Sequence, residues 1–147
     1  MNDLERAIRV YNLGDYAFVI VKNGSVLATG THEGIGELLD AVGQYGATLH
    51  GAALADKIVG KAVAMVAAYA GIAQIYTPLG SQAASDFLQA HSIPFRAERL
   101  VPLIRNKRND GPCPMERLTL PLTEPADAVA ALQAFVAQTR PVVASRA

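Results

Sequence analysis

The segment Gly51-Ala-Ala-Leu-Ala-Asp-Lys-Ile-Val-Gly-Lys-Ala-Val-Ala-Met65 decides the fold of this chain. Small or apolar residues fill nearly every position from 58 to 70, a pattern typical of a helix that is buried on all sides. The pattern predicts a central helix over residues 56–70 that ends at Gly71, a natural left-handed cap. Asp56 can cap its start, where Lys57 follows. Two charges at the start of a buried helix indicate that this end opens at a cleft.

The segments around this helix alternate between strand and helix patterns. Strands are predicted over residues 16–22, 25–29, 72–77 and 93–98, with a short last strand over 118–122. Asn23-Gly24 between the first two is a strong hairpin signal. Pro94 has no N–H, so the fourth strand is expected near a sheet edge. Residues 47–54 read as a buried strand or an extended approach to the central helix.

Four further helices complete the pattern. The first starts at Asn2 or Asp3 and ends at Gly14, and the second carries Leu38, Leu39 and Val42. The remaining two are expected to start at the capping residues Ser81 and Thr123. Residues 101–116 are predicted to form a loop. Strands separated by helices indicate an α/β fold, a three-layer α/β/α sandwich with a mixed sheet. We expect one domain over residues 1–140 and a flexible tail over 141–147.

Composition narrows the classes of function. Thirteen Lys and Arg residues balance thirteen Asp and Glu residues in a chain of 147, which argues against a nucleic-acid-binding surface. A single cysteine rules out an internal disulfide and suits a reducing compartment. The first residues lack the pattern of a signal peptide, and no apolar run is long enough to span a membrane. We expect a cytoplasmic protein with no membrane partner.

The only cysteine lies in a second informative segment, Gly111-Pro-Cys-Pro-Met-Glu116. Prolines on both sides of Cys113 stiffen the backbone and fix the position of the thiol. A lysine nearby, such as Lys57, would favour the thiolate, the form that acts as a nucleophile. A lone cysteine is more often an inert apolar residue, so both roles stay open. Glu116 could be a general base or begin a capped turn.

Other residues near these two segments are candidates for binding a ligand. Lys57 and Lys61 are four apart and would share a helix face. Gly60 in a helix interior costs about 1 kcal/mol relative to Ala, which suggests close approach by another backbone or a ligand. His50, just before the helix, is the only histidine expected near the cleft. A structural role remains the alternative for each. Arg105, Lys107 and Arg108 form a basic run that is either solvated or able to hold a phosphate.

From about residue 16 to 120 the chain resembles a small family of uncharacterised domains with a cytidine-deaminase-like fold. The resemblance rests on Ala17-Phe-Val-Ile-Val-Lys-Asn-Gly-Ser-Val26, Ala55-Asp-Lys-Ile-Val-Gly-Lys-Ala62, and Leu100-Val-Pro102 followed by Cys113-Pro-Met-Glu116. It implies a helix–sheet–helix sandwich with a cleft where Asp56 and Lys57 meet the Cys113 loop. Proteins of related fold often self-associate, and the apolar composition permits a homodimer.

The chain departs from working deaminases at the zinc motifs. Those enzymes carry His-x-Glu at one helix start and Pro-Cys-x-x-Cys at the next. Here Leu54-Ala55-Asp56 stands at the first position and Thr77-Pro-Leu-Gly-Ser-Gln82 at the second. Pro112-Cys113-Pro-Met-Glu116 mimics the second motif one strand later, with Glu in place of its last Cys. We therefore predict no metal and no cofactor, and a zinc-dependent nucleoside or nucleobase deaminase is the least favoured function.

Three functional hypotheses follow. The first is a metal-independent enzyme that acts on a small molecule, with a nucleotide-like compound among the candidates. In that enzyme Cys113 is the nucleophile, Asp56 the general acid or base, and Lys57 an electrostatic partner. The second is a binding module in which the same residues, with Gly60, Lys61, His50, Met115 and Glu116, contact the ligand. The third is an accessory protein that docks a redox or metal-carrying partner through the Cys113 loop.

Overall fold

A computed structural model describes residues 1–32 and 34–139, so the predicted tail over 141–147 and the domain end at 140 lie outside the described residues. A tight turn at Asn23-Gly24 joins the first two strands of the sheet into a hairpin. Asn23 (φ 52°) and Gly24 (φ 80°) both adopt left-handed conformations and join β1 (Phe18–Lys22) to β2 (Ser25–Gly30). The hairpin predicted at this position is confirmed, and β1 also pairs antiparallel with β3 (Ala53–Asp56).

The remaining strands are parallel to β3, which makes the sheet mixed. β5 (Gln74–Ser81) pairs with β3, with the short β4 (Ile58–Val59) and with β6 (Phe95–Val101). β3 and β4 keep the same offset along β5, since Ala55 pairs with Tyr76 and Ile58 with Leu79. They therefore form one line of strand that is interrupted at Lys57. β6 pairs only with β5 among the described strands, as expected for an edge strand after Pro94.

Helices cover the sheet on both faces, so the predicted three-layer α/β sandwich is confirmed. α1 (Asp3–Leu13) packs on one face, where Ala7 lies against Val19, Val21 and Ala55. The helices of the other face are α2 (Gly36–Tyr45), α3 (Lys61–Ala70), α4 (Gln82–Ala90), α5 (Pro114–Thr119) and α6 (Pro125–Thr139). The larger core lies beneath them, and its largest fully buried side chains are Ile20, Leu49, Leu54, Met65, Ile75, Leu88 and Leu132.

The central helix is shorter than predicted. It begins at Lys61 and not at Asp56, because Ile58 and Val59 join the sheet as β4 and Gly60, in extended conformation, is the N-cap. Asp56 therefore ends β3, Gly60 is not in a helix interior, and Lys57 does not share a helix face with Lys61. The predicted end is confirmed: Gly71 is left-handed (φ 76°), and its N–H donates to the carbonyls of Ala67 and Ala68 in the last turn.

Other boundaries also differ from prediction. β5 continues through Pro78 and Gly80 to Ser81, which caps α4 as expected. The strand predicted over 118–122 is wrong, because α5 begins at Pro114 inside the predicted loop and extends to Thr119. The cap predicted at Thr123 is also wrong, since the carbonyl of Glu124 accepts the first bonds of α6. A short 3-10 helix over Gly46–Leu49 precedes β3, so residues 47–54 are only partly strand.

Candidate functional site

A cavity of about 480 Å³ opens at the carboxyl ends of β3 and β4, beside the start of α3. Its apolar walls come from Phe18, Ile35, Ile58, Val63 and Met115. The crevice outside the carboxyl ends of parallel strands is the usual ligand site of open α/β sheets. The cavity volume lies in the range typical of small-molecule sites, roughly 300–1,000 Å³.

Most of the residues singled out in the sequence line this one cavity. Those in its wall are Asp56, Lys57, Gly60, Cys113, Met115 and Glu116. Lys61 is adjacent but points its ammonium group away, towards the carbonyls of Leu120 and Leu122. The expectation that His50 lies near the cleft is not met. His50 is exposed before the amino end of β3 and packs against Gly71, at the opposite end of α3.

Asp56 places a half-buried carboxyl group at the end of β3. Its Oδ1 accepts a hydrogen bond from the N–H of Ile58 at 3.2 Å. Burial raises the pKa of Asp56 from its ordinary value to about 7, although hydrogen bonds from the N–H groups of Ile58 and Lys57 favour the charged form. A carboxyl with this pKa can both hold and release a proton near neutral pH, which is the requirement for a general acid or base.

Lys57 occupies the interruption between β3 and β4. Its N–H donates to the carbonyl of Ala17 at 2.9 Å, so its backbone stays tied to the residue before β1. The residue is exposed and borders the cavity. Lys57 therefore brings a positive charge to the same cavity as Asp56 and Cys113.

Cys113 is half-buried at the start of α5, and its backbone is fixed on both sides. Its N–H donates to the carbonyl of Ile104 at 2.8 Å, and its own carbonyl accepts from the N–H of Arg117 at 2.9 Å. We call residues 104–113 the 104–113 loop. An isolated β-bridge between Arg105 and Pro112 joins the two ends of this loop. The thiol is thus held at the cavity by backbone bonds as well as by the two prolines.

Glu116 is a buried carboxyl, only 2% exposed, that joins three segments of the chain. Its Oε1 accepts from the N–H of Lys61 at 2.7 Å, and its Oε2 accepts from the N–H of Ile104 at 3.0 Å. The carboxylate therefore caps α3 and anchors the 104–113 loop at once. Sequence reasoning offered a general base or a capped turn and missed this link, because no local pattern connects Glu116 to Lys61.

Lys61 makes the reverse connection. Its Nζ donates to the carbonyl of Leu120 at 2.8 Å and to that of Leu122 at 2.6 Å, both just after α5. Burial lowers the pKa of Lys61, and the nearby Glu116 carboxylate opposes that shift. Lys61 was expected to contact a ligand, whereas its ammonium group caps the end of α5.

Basic residues of the 104–113 loop stand at the rim of the cavity. Arg105 and Lys107 line it, together with Asn106. The Nε of Arg105 donates to the side-chain oxygen of Asn109 at 2.7 Å, which steadies the guanidinium group. Ala17, Phe18 and Ile35 also line the cavity and were not expected from the sequence, since their positions carry no chemical signal.

The acidic and thiol groups at the cavity do not fit a zinc ion. Both oxygens of Glu116 accept hydrogen bonds from backbone N–H groups, so among the described residues Asp56 and Cys113 are the two acidic or thiol groups left to bind a metal ion at the cavity. Over residues 1–32 and 34–139, no group of three or more His, Cys, Asp or Glu side chains could hold a metal ion. A zinc site of the deaminase type needs three protein ligands.

Comparison with known proteins identifies relatives of this chain. The family model described as "TM1506: Domain of unknown function (DUF1893)" matches residues 6–136. The solved structure of a DUF1893 family protein (TM1506) from Thermotoga maritima is 18% identical, covers 91% of this chain and 90% of its own, and superposes with a TM-score of 0.83. These matches confirm the resemblance to an uncharacterised family that the sequence suggested.

A second solved structure is similar over part of the chain. The dCMP deaminase from the cyanophage S-TIM5, in apo form, is 17% identical and covers 65% of this chain and 93% of its own, with a TM-score of 0.47. No curated protein matches this chain significantly.

Proposed function

The chain belongs to the DUF1893 family, a domain of unknown function, and we propose that it binds a small molecule in the cavity between Asp56, Lys57 and Cys113. One observation carries the proposal: a single cavity of about 480 Å³ has mainly apolar walls and a few convergent polar groups. Sites for small molecules generally combine an apolar enclosure with a few polar groups that fix orientation.

The composition of the cavity favours a particular kind of ligand. Phe18, Ile35 and Met115 offer contact to an apolar or aromatic body, and Asp56 offers a hydrogen bond to a polar group on it. Arg105 and Lys107 at the rim can pair with an anionic substituent. A nucleotide-like compound, with a planar base and a phosphate, has this distribution of groups.

The same residues support a catalytic version of the proposal that needs no metal. Asp56 takes up or releases a proton near neutral pH, and Cys113 is the nucleophile. Lys57 pairs with an anionic group on the substrate. Binding is the primary proposal, and turnover is an additional property to be tested once the ligand is known.

Native mass spectrometry of the purified chain tests the binding proposal. We expect a small organic mass to remain bound to the wild-type protein and to be lost from Asp56→Asn and Cys113→Ala. Asp86→Asn, an exposed carboxyl on α4, is the matched control and should retain the mass. If the wild-type protein carries no such mass, nucleoside monophosphates are added and the midpoint of thermal unfolding is followed.

Two results would count against a ligand site. One is a wild-type chain that retains no mass and is stabilised by none of the added compounds. The other is a mass that all variants retain equally. A protein partner that is captured by the wild type and Asp56→Asn but lost from Cys113→Ala would instead favour the accessory-protein hypothesis.

A further inference from the structure

The start of α3 and the end of α5 are capped by each other's side chains. Glu116, on α5, accepts the first N–H of α3 from Lys61 at 2.7 Å. Lys61, on α3, donates to two carbonyls that follow α5, at 2.8 and 2.6 Å. The backbone groups at helix ends lack partners within their own helix, and here each helix provides one for the other.

The second oxygen of Glu116 extends this arrangement to the cavity. It accepts the N–H of Ile104 at 3.0 Å, and the carbonyl of Ile104 in turn accepts the N–H of Cys113 at 2.8 Å. Cys113 directly precedes α5, the helix that carries Glu116. Its backbone is therefore held on one side by Ile104, which Glu116 binds, and on the other side by α5. The backbone of Cys113 is therefore two hydrogen bonds away from Glu116, which caps α3.

Gly60 shows how closely Glu116 approaches the helix start. A Cβ added at Gly60 would lie 2.9 Å from Oε1 of Glu116, closer than real Cβ contacts allow. The carboxylate thus occupies the place where an external anion would meet the start of α3. The first N–H of this helix is satisfied from within the chain.

We propose that Glu116 and Lys61 are positioning residues that fix the 104–113 loop and Cys113 against α3, and so set the shape of the cavity. This inference rests on the proposed function for its biological meaning, but its geometry is tested without any ligand. It also predicts that an anionic group of the ligand is excluded from the start of α3 and binds at the loop side of the cavity, with Arg105 and Lys107.

Chemical rescue by acetate provides the test. Glu116→Ala removes the carboxylate, and acetate can enter the vacated space and accept the same N–H groups. In the ligand-free chain, well below its unfolding temperature, we expect Glu116→Ala to raise the rate of Cys113 alkylation by iodoacetamide about tenfold or more, which corresponds to about 1.4 kcal/mol in the opening equilibrium. Acetate, compared with chloride at equal ionic strength, should lower that rate and raise the midpoint of thermal unfolding.

Leu132→Ala, a fully buried residue of α6 that does not line the cavity, is the control for general loss of stability. It should show no acetate effect and no comparable rise in alkylation. If Glu116→Ala fails to fold, Glu116→Gln replaces it. This variant retains one acceptor oxygen and loses the other, so an intermediate alkylation rate is expected.

An alkylation rate in folded Glu116→Ala or Glu116→Gln equal to that of the wild type would overturn the proposal. So would an equal rise in Leu132→Ala, or a rise in Glu116→Ala that acetate leaves unchanged. None of these results depends on ligand retention. Failure of the positioning proposal is thus distinguishable from failure of the binding proposal.

Discussion

Asp56 shows how a single residue acquires its chemistry from its place at the end of a strand. The strand line from β3 to β4 breaks just after it, and its carboxyl group lines the cavity. Two backbone N–H groups favour its charged form, yet burial outweighs them and raises the pKa to about 7. The proton affinity of Asp56 is therefore a property of the cavity.

This shift predicts a pH dependence of folding stability. The folded protein holds the Asp56 proton up to about pH 7, whereas the ordinary pKa is 3.8. The stabilisation is therefore complete below about pH 4 and is lost as the pH rises towards 7. Asn does not titrate, so the free energy of unfolding of Asp56→Asn minus that of the wild type should rise by about 1–3 kcal/mol from pH 4 to pH 8.

Urea unfolding at several pH values measures this difference. Asp86→Asn, exposed on α4, provides the comparison and should give a difference that does not change with pH. A flat difference for Asp56→Asn as well would mean that the carboxyl group titrates in the folded protein as it does in the unfolded chain.

At the scale of elements, β5 is a buried strand that contains a proline. Pro78 has no N–H, and it lies opposite Lys57, where the neighbouring strand line is interrupted. The hydroxyl of buried Thr77 bridges the gap by accepting from the N–H of Leu79 at 3.1 Å and donating to its carbonyl at 2.9 Å. A side chain thus substitutes for the missing ladder bonds and allows β5 to continue.

Removing this hydroxyl should destabilise the fold. Thr77→Val keeps the shape of the side chain but leaves the N–H of Leu79 without its acceptor, at a cost of about 1–3 kcal/mol. Thr29→Val, at an exposed position of β2, should change stability by less than about 0.5 kcal/mol. Guanidinium chloride unfolding of both variants checks the prediction, and equal effects at the two positions would contradict it.

At the scale of the whole molecule, the layers are unequal. Of the helices in residues 1–32 and 34–139, α1 packs on one face of the sheet, and the other helices lie on the opposite side. Asp3 ties the start of α1 to the hairpin by accepting the N–H groups of Asn23 and Gly24 at 2.8 and 2.9 Å. This face of the sheet therefore relies on α1.

No helix in residues 1–32 and 34–139 is long and apolar enough to cross a membrane.

Disrupting the contact between α1 and the sheet should be costly. Ala7 is fully buried between α1 and the sheet, so Ala7→Asp buries an unpaired charge and should cost more than about 3 kcal/mol in stability. Ala130→Asp, at an exposed position on α6, is the control and should be nearly neutral. Thermal unfolding followed by circular dichroism measures both variants. A small effect at Ala7 would mean that α1 contributes little to the fold.

Features that depend on neighbouring residues were predicted from the sequence. The left-handed conformations of Asn23 and Gly71 are selected by local backbone sterics, so the hairpin and the end of α3 could be placed. Alternation of apolar segments was enough to predict the three-layer α/β sandwich. The sequence also drew attention to Asp56, Lys57 and Cys113, and the tertiary structure brings them to one cavity.

Features that depend on distant residues were decided only by the tertiary structure. Ile58 and Val59 fit the apolar pattern of the buried helix, but pairing with β5 makes them a strand, which moves the start of α3 to Lys61. The role of Glu116 depends on Lys61, 55 residues earlier, and no local periodicity specifies that pair. Local propensity determined most of the elements of this protein, whereas long-range pairing and burial decided where they end and which groups share the cavity.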